Sequence, residues 1–308
     1  MIPSMTNTKQ IGFIALTLVQ ILFGINFVVS KYLLNIIHPI VWAHVRFSIS
    51  FILLGIFACL FHLKKHPPLS LSFIAPLIPL SLLSFHVGQT LFLKGLELST
   101  TTNAAIISTT IPLFTVVVVV FFKEEKLTLI KSVGFLAAFI GVLTLRKIEN
   151  FTLLNTQLLG DFYVLIASLC YALFIAFGKK FLEKFNNLWV TVWLLGISSL
   201  TMIPFSYYSW TTSNIPTLDL NIILAATYCI VGATIITYFL NNFALSQLKS
   251  SQVAFFIYLQ PVVVSIIAFF FWDETISLRT IGAITLIFCG QALALLNLKK
   301  LHKRKPHG

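Results

Sequence analysis

PLFTVVVVVFFKEE, residues 112–125, returns half a chain later as PVVVSIIAFFFWDE, residues 261–274. In each copy a proline opens an apolar run, a glutamate closes it, and a glycine follows at equal distance, Gly141 in the first and Gly290 in the second. The shift from Pro112 to Pro261 is shared by all three landmarks. Earlier landmarks agree within a residue or two: Gly24 and Lys31 fall on Ala172 and Lys179, and Leu98-Ser99 falls on Leu245-Ser246. A match at this offset marks an internal duplication with units 1–150 and 151–308.

Composition says what each unit is made of. The chain has 308 residues, 58% hydrophobic and 10% charged, with 30 Phe and a mean hydropathy of +0.96, which excludes a water-soluble globular domain. A bilayer core of about 30 Å takes roughly 20 apolar helical residues per crossing. Ten crossings therefore use about 200 residues and leave about 100 for short loops and tails. The apolar runs are long and continuous, without a period of two, so they favour helices over an outer-membrane barrel. The expected fold is an all-α integral membrane protein with ten helices: Ile11–Leu34, Ile40–Leu63, Leu71–Leu93, Ala104–Phe122, Leu127–Leu145, Leu159–Leu182, Leu188–Tyr208, Leu220–Leu240, Val253–Trp272 and Ile281–Leu298. No small-x-small site closes the first run, which therefore reads as a helix and not as a cleaved leader. Five helices per unit is an odd number, so the second unit must sit upside down relative to the first. Inverted repeats of this kind build secondary transporters, because the two halves can exchange roles around a midplane site.

A net charge of +12 suggests nucleic acid until the basic residues are sorted by membrane side. With a cytoplasmic N-terminus, Lys9, Lys64, Lys65, Lys123, Lys126, Lys131, Lys179, Lys180, Lys184, Lys249 and the tail Lys299–Lys305 fall inside. Lys31, Lys94, Arg146, Lys147 and Arg279 fall at the other face. Both termini are expected in the cytoplasm, with lipid and a small metabolite as partners and no nucleic acid. The cysteines Cys59, Cys170, Cys229 and Cys289 stand singly in apolar runs and read as packing residues without metal.

The residues also carry a family resemblance. Phe23-Gly24-Ile25-Asn26-Phe27 with Lys31, then Arg46, Asn103-Ala104-Ala105 before Pro112, and Glu125 with Gly134 and Gly141 make up the first part. Gly160-Asp161 and the series Pro261, Glu274, Gly282 and Gly290 complete it. In that order the chain resembles the EamA-type branch of the drug/metabolite transporter superfamily over essentially its whole length. It departs in having Phe23 where the family usually has tryptophan, and in a second Glu-to-Gly interval one residue shorter. The resemblance implies a ten-helix inner-membrane carrier for small metabolites, often amino acids or related zwitterions and anions, frequently moved outward. For Glu125 and Glu274 it implies contacts that close the repeats.

Polar side chains inside spanning helices mark cavities or interhelical hydrogen bonds. The third helix carries His86, Gln89, Thr90 and Lys94; the eighth carries Thr227, Thr234, Tyr238 and Asn241 on one face, and the repeat maps His86 onto Thr234 and Thr90 onto Tyr238. These residues, with Gln20 and Asn26 on the first helix and Tyr258 and Gln260 on the ninth, form the candidate substrate lining. Pro112 and Pro261 interrupt their helices at matching points and are candidate gating kinks. Lys31 can snorkel, pair with Glu97 or attract an anionic substrate. Arg46, two turns into the second helix, is an anchor or a charge beside the pathway. His44 and His86 are packing residues or proton carriers, so proton coupling stays open while no cofactor is expected.

Every acidic residue falls in a loop or terminal turn, which disfavours a pump for lipophilic cations and favours a zwitterionic or anionic substrate. No metal, hydrolase or P-loop motif is present to suggest an enzyme or an internal ATPase. A facilitator, an uptake carrier for a nucleotide-like metabolite, and a membrane receptor or scaffold are the remaining alternatives.

Overall fold

The computed structural model describes residues 5–61, 70–126, 128–145, 155–212, 219–271 and 278–295. Helix α1 is Met5–Leu34 and α2 is Pro39–Phe61. Helix α3, Leu71–Leu98, is α-helical to Ser81, π-helical over Leu82–Gly88 and α-helical again from Gln89. Helix α4 runs as Thr101–Ser108 and Thr110–Phe121, and α5 is Leu129–Leu145. Helix α6 is Asn155–Lys184 and α7 is Asn187–Thr212. Helix α8 repeats the plan of α3: Leu220–Thr227, a π segment at Tyr228–Ile236, then Thr237–Gln247. Helix α9 comprises Ser250–Phe255, a 3₁₀ turn at Phe256–Tyr258 and Leu259–Phe271; α10 is Leu278–Leu295.

Among the described residues all regular structure is helical, and eight of these helices are long and apolar enough to cross a membrane. The chain is a multi-pass membrane protein. Helices α5 and α10 hold shorter apolar stretches, Leu129–Gly141 and Ile281–Gly290. Several helices outrun their expected ends, since α3 continues to Leu98 and α8 to Gln247. Glu274, Lys64-Lys65, Arg146-Lys147 and the tail 299–305 lie outside the described residues.

The local breaks follow from sequence. The Thr100 hydroxyl accepts from the Asn103 amide and the Asp219 carboxylate from the Ile222 amide, each closing an open helix start. Ahead of Pro112, Thr109 donates its N–H to Ile106 in a tightened turn, and the 3₁₀ turn in α9 stands in the same position before Pro261.

Packing pairs the rods in a regular way. Helix α1 lies on α8 and α9, α6 on α3 and α4, α2 on α7, and α5 on α10. At the α3–α6 contact a Cβ on Gly95 would stand 2.7 Å from the Gly160 carbonyl oxygen, so backbone meets backbone there. Contacts also identify the two ends of the bundle. Lys180 pairs with Glu124, Asn187 donates to Ser246 and Phe73 packs on Phe181 and Phe185 at one end. Lys123, Lys126, Lys184 and Lys249 belong to the same loops and helix ends. Leu34, Leu98, Thr101 and Asn155 mark the opposite end. A second, smaller cluster joins α5 and α10 to α9 through Phe135, Ala138, Phe255, Tyr258, Val262 and Ile287.

Candidate functional site

Arg46 is fully buried, 0% exposed, in the first half of α2. Its Nε donates to Thr234 Oγ1, and its Nη2 donates to the Ala233 carbonyl at 3.0 Å; both acceptors lie on the π segment of α8. The Thr234 hydroxyl in turn donates to the Cys229 carbonyl at 2.7 Å, five residues back, a bond that the wide π turn permits. Arg46 Nη1 is buried with no hydrogen-bond partner, and neither ion pair among the described residues involves Arg46. A buried guanidinium without an anion is costly, and a bound carboxylate or phosphate offsets that cost with two parallel hydrogen bonds. Thr234→Val removes the Nε acceptor and is expected to lower stability by about 1–3 kcal/mol, measured by thermal unfolding in detergent.

Arg46 stands in the wall of a cavity of about 80 Å³ near the middle of the bundle. Phe23, Asn26 and Phe27 of α1 face it, as do Ser84, Gly88, Gln89 and Phe92 of α3. Helix α4 contributes Ser108 and Ile111, α6 contributes Ala167, Ser168 and Tyr171, and Tyr238 and Gln260 complete the ring. The volume is below the roughly 300 Å³ at which small-molecule pockets begin, so a larger metabolite needs the surrounding helices to part. Tyr238 donates to Gln89 Oε1 at 2.8 Å, and Gln260 Nε2 donates to Gln20 Oε1 at 2.7 Å, linking α8 with α3 and α9 with α1. The lining is aromatic with a few amides and hydroxyls, one formal cation and no carboxylate. Such a wall can stack a planar group and hold an anionic one.

The candidates read from sequence divide here. Arg46, Gln89, Asn26, Tyr238 and Gln260 line the cavity, and Gln20 and Thr234 stand directly behind it as hydrogen-bond partners. His86 faces α7 instead: its Nδ1 is 2.9 Å from Thr201 Oγ1 and its ring meets Phe205 edge-on. Thr90 Oγ1, Asn241 Nδ2 and the Tyr258 hydroxyl are buried away from the lining without partners. Pro112 and Pro261 are buried at the helix irregularities beside Ser108 and Gln260. Lys94 is half-buried and outside the lining.

Lys31 donates to three carbonyls at the end of α3, those of Leu96, Glu97 and Ser99, at 2.7–2.8 Å. Lys179, its repeat counterpart, does the same at the end of α8, to Leu245 and Leu248, and also meets Glu183 at 2.6 Å. Both lysines thus tie off helix C-termini. At the opposite end from the lysine-rich loops, Asp161, 5% exposed, accepts from Ser99 Oγ and Asn103 Nδ2. At the lysine-rich end Glu125 accepts from the Ser251 amide and hydroxyl at the start of α9.

Sequence reading missed Phe23, Ser168 and Tyr171 as lining residues. The signal was present: shifted through the repeat, Gln20 and Phe23 of α1 land on Ser168 and Tyr171 of α6.

Comparison with known proteins agrees with this architecture. The model of the EamA-like transporter family matches residues 10–146 and again 158–296. The S-adenosylmethionine uptake transporter of Rickettsia felis is 29% identical over 302 residues, 97% of this chain and 97% of that protein. An uncharacterized transporter of Archaeoglobus fulgidus is 24% identical over 283 residues, 90% of this chain and 96% of that one. A solved crystal structure shares the fold with a TM-score of 0.77 at 16% identity, covering 97% of this chain and 99% of that chain. The chain belongs to the EamA-like transporter family of the drug/metabolite transporter superfamily and is a small-molecule transporter.

Proposed function

We propose that this transporter is a secondary carrier that passes a carboxylate-bearing, amino-acid-type metabolite through the central cavity by alternating access. The observation that carries the reading is the buried Arg46 guanidinium in the wall of an aromatic cavity, with Nη1 unpartnered and no carboxylate in the lining. Its two halves are the inverted five-helix units 1–150 and 151–308, ten spans in all. The paired contacts of α1 with α8 and α9, and of α6 with α3 and α4, support that symmetry. Placing the lysine-rich end in the cytoplasm of an inner membrane follows the positive-inside tendency and leaves both termini inside.

S-adenosylmethionine is the first substrate to test. It is the substrate named for the Rickettsia felis and Rickettsia bellii relatives. Its α-carboxylate matches Arg46 and its planar adenine matches the walls formed by Phe23, Phe27, Phe92 and Tyr171. It is both an amino acid and a nucleoside, but its sulfonium makes it a net monocation and not the zwitterion or anion read from sequence; with no carboxylate in the lining, that charge falls to the aromatic walls. Resemblance to the family pointed outward, whereas these relatives are named for uptake, and the proposal adopts uptake.

The test is a thermal-unfolding panel of the purified protein. S-adenosylmethionine at 100 times its dissociation constant is expected to add about 2.7 kcal/mol, with less at the same concentration from methionine and least from adenosine, which keeps the stacking but lacks the carboxylate. Stabilisation by adenosine equal to that by S-adenosylmethionine would remove Arg46 from the recognition argument. Uptake into proteoliposomes then fixes the direction.

A further inference from the structure

A second cavity, about 920 Å³, lies at the lysine-rich end between α2, the α6–α7 turn and α8, and shares no lining residue with the central one. Tyr238 faces the central cavity while its neighbour Phe239 faces this groove. The upper wall is apolar and opens sideways: Leu53, Phe57 and Val231 line it and stay 45%, 48% and 39% exposed. The lower rim is polar, with Glu183, Asn187 and Gln247 at helix ends. From Gln247 to Val231, α8 rises about 24 Å at 1.5 Å per residue, enough to run from the boundary through the roughly 15 Å of one leaflet.

The duplication does not require this groove. Through the repeat, Leu53 and Phe57 correspond to Thr201 and Phe205 of α7, and there His86 fills the space with a hydrogen bond and an edge-on ring contact. On α2 nothing equivalent among the described residues fills it. Asn187 supplies the second observation: its Nδ2 donates to Ser246 Oγ at 3.1 Å, while its Oδ1 is buried in the rim without a donor. The Glu183 carboxylate on the same rim already meets Lys179 through Oε1, so it is the vacant Asn187 acceptor that calls for a donor, and Lys184, which adjoins the rim without lining the groove and has its Nζ 5.3 Å from the Phe185 ring centroid, suits a phosphate.

We infer that the groove is a binding site for a phospholipid of the phosphatidylethanolamine class. One acyl chain lies along Leu53, Phe57 and Val231, the ammonium donates to Asn187 and Glu183, and the phosphate meets Lys184. An apolar wall open to the bilayer above a zwitterionic rim fits a lipid better than a polar metabolite in transit.

Native mass spectrometry of the full chain in mild detergent, titrated with dioleoyl-phosphatidylethanolamine or dioleoyl-phosphatidylcholine, tests this directly. The wild type is expected to retain one phosphatidylethanolamine per chain, at least tenfold over phosphatidylcholine. The double variant Leu53→Trp/Val231→Trp, filled at two bilayer-facing positions, is expected to lose at least tenfold of that retention while keeping its thermal response to S-adenosylmethionine. Asn187→Leu is expected to keep the acyl chain but bring the two lipids to equal retention. Equal retention by the wild type, or undiminished retention in the filled variant, would overturn the site. Slowed transport with lipid still bound would instead assign the groove to the substrate path. A silent thermal panel with selective lipid retention would sink the substrate reading alone.

Discussion

Arg46→Gln is expected to weaken binding of a carboxylate-bearing substrate by about 100-fold, about 2.7 kcal/mol, while leaving the unliganded protein as stable as the wild type or more so. The two signs have one cause. Without substrate, Arg46 is a buried cation whose Nη1 finds no partner, so a shorter neutral side chain, whose amide nitrogen stands where Nε does and can still donate to Thr234, relieves a desolvated charge at the loss of the Ala233 bond. With substrate, the same guanidinium offers a fork to the carboxylate that an amide cannot reproduce. Arg46→Lys keeps the charge but loses the fork, and should fall between the two. Thermal unfolding with and without S-adenosylmethionine measures both signs in one experiment. A variant that unfolds earlier without ligand, yet still gains stability from it, would make Arg46 a structural anchor and leave the cavity without its recognition element.

How much of the molecule is legible in its sequence depends on the physical origin of each feature. The helical, multi-pass character follows from apolar run length, and the duplication follows from Pro112, Glu125 and Gly141 with their later copies, because both are properties of the linear chain; of the ten spans expected, eight are long and apolar enough among the described residues. Arg46 is visible as a charge too deep to ignore. The side chains on α3 are harder, since a helical wheel drawn at 3.6 residues per turn places His86, Gln89 and Thr90 together. The π segment Leu82–Gly88 widens the turn and rotates the rest of the helix, so His86 meets α7 while Gln89 meets the cavity. Composition does not announce a π turn. Asp161 escapes for a related reason: near the start of a run it reads as a boundary carboxylate, but α6 begins at Asn155 and carries it into contact with Ser99 and Asn103.

Gly282 and Gly290 recur together in the second repeat, and the structure gives them different surroundings. A Cβ on Gly290 would stand 2.6 Å from the Ala138 amide nitrogen and 2.6 Å from the Gly134 carbonyl oxygen, both on α5. Those are backbone atoms, which no rotamer change can move aside. A Cβ on Gly282, in the same helix, would meet nothing within 4 Å. Gly290→Val is therefore expected to force α5 and α10 apart and cost about 3 kcal/mol or more, at or above the upper end for overpacking. Gly282→Ala is expected to be neutral, or to gain about 0.5–1 kcal/mol from helix propensity. Helices α5 and α10 reach the rest of the bundle mainly through Phe255, Tyr258 and Val262 of α9, none of which lines the central cavity. Gly290→Val should accordingly lower the unfolding temperature while the molecules that remain folded keep near wild-type affinity for S-adenosylmethionine, the reverse of Arg46→Gln. Equal losses from Gly282→Ala and Gly290→Val would show that the pair is held by general apolar contact and not by close backbone approach. A Gly290→Val protein of normal stability but abolished binding would make the α5–α10 pair part of the transport machinery itself.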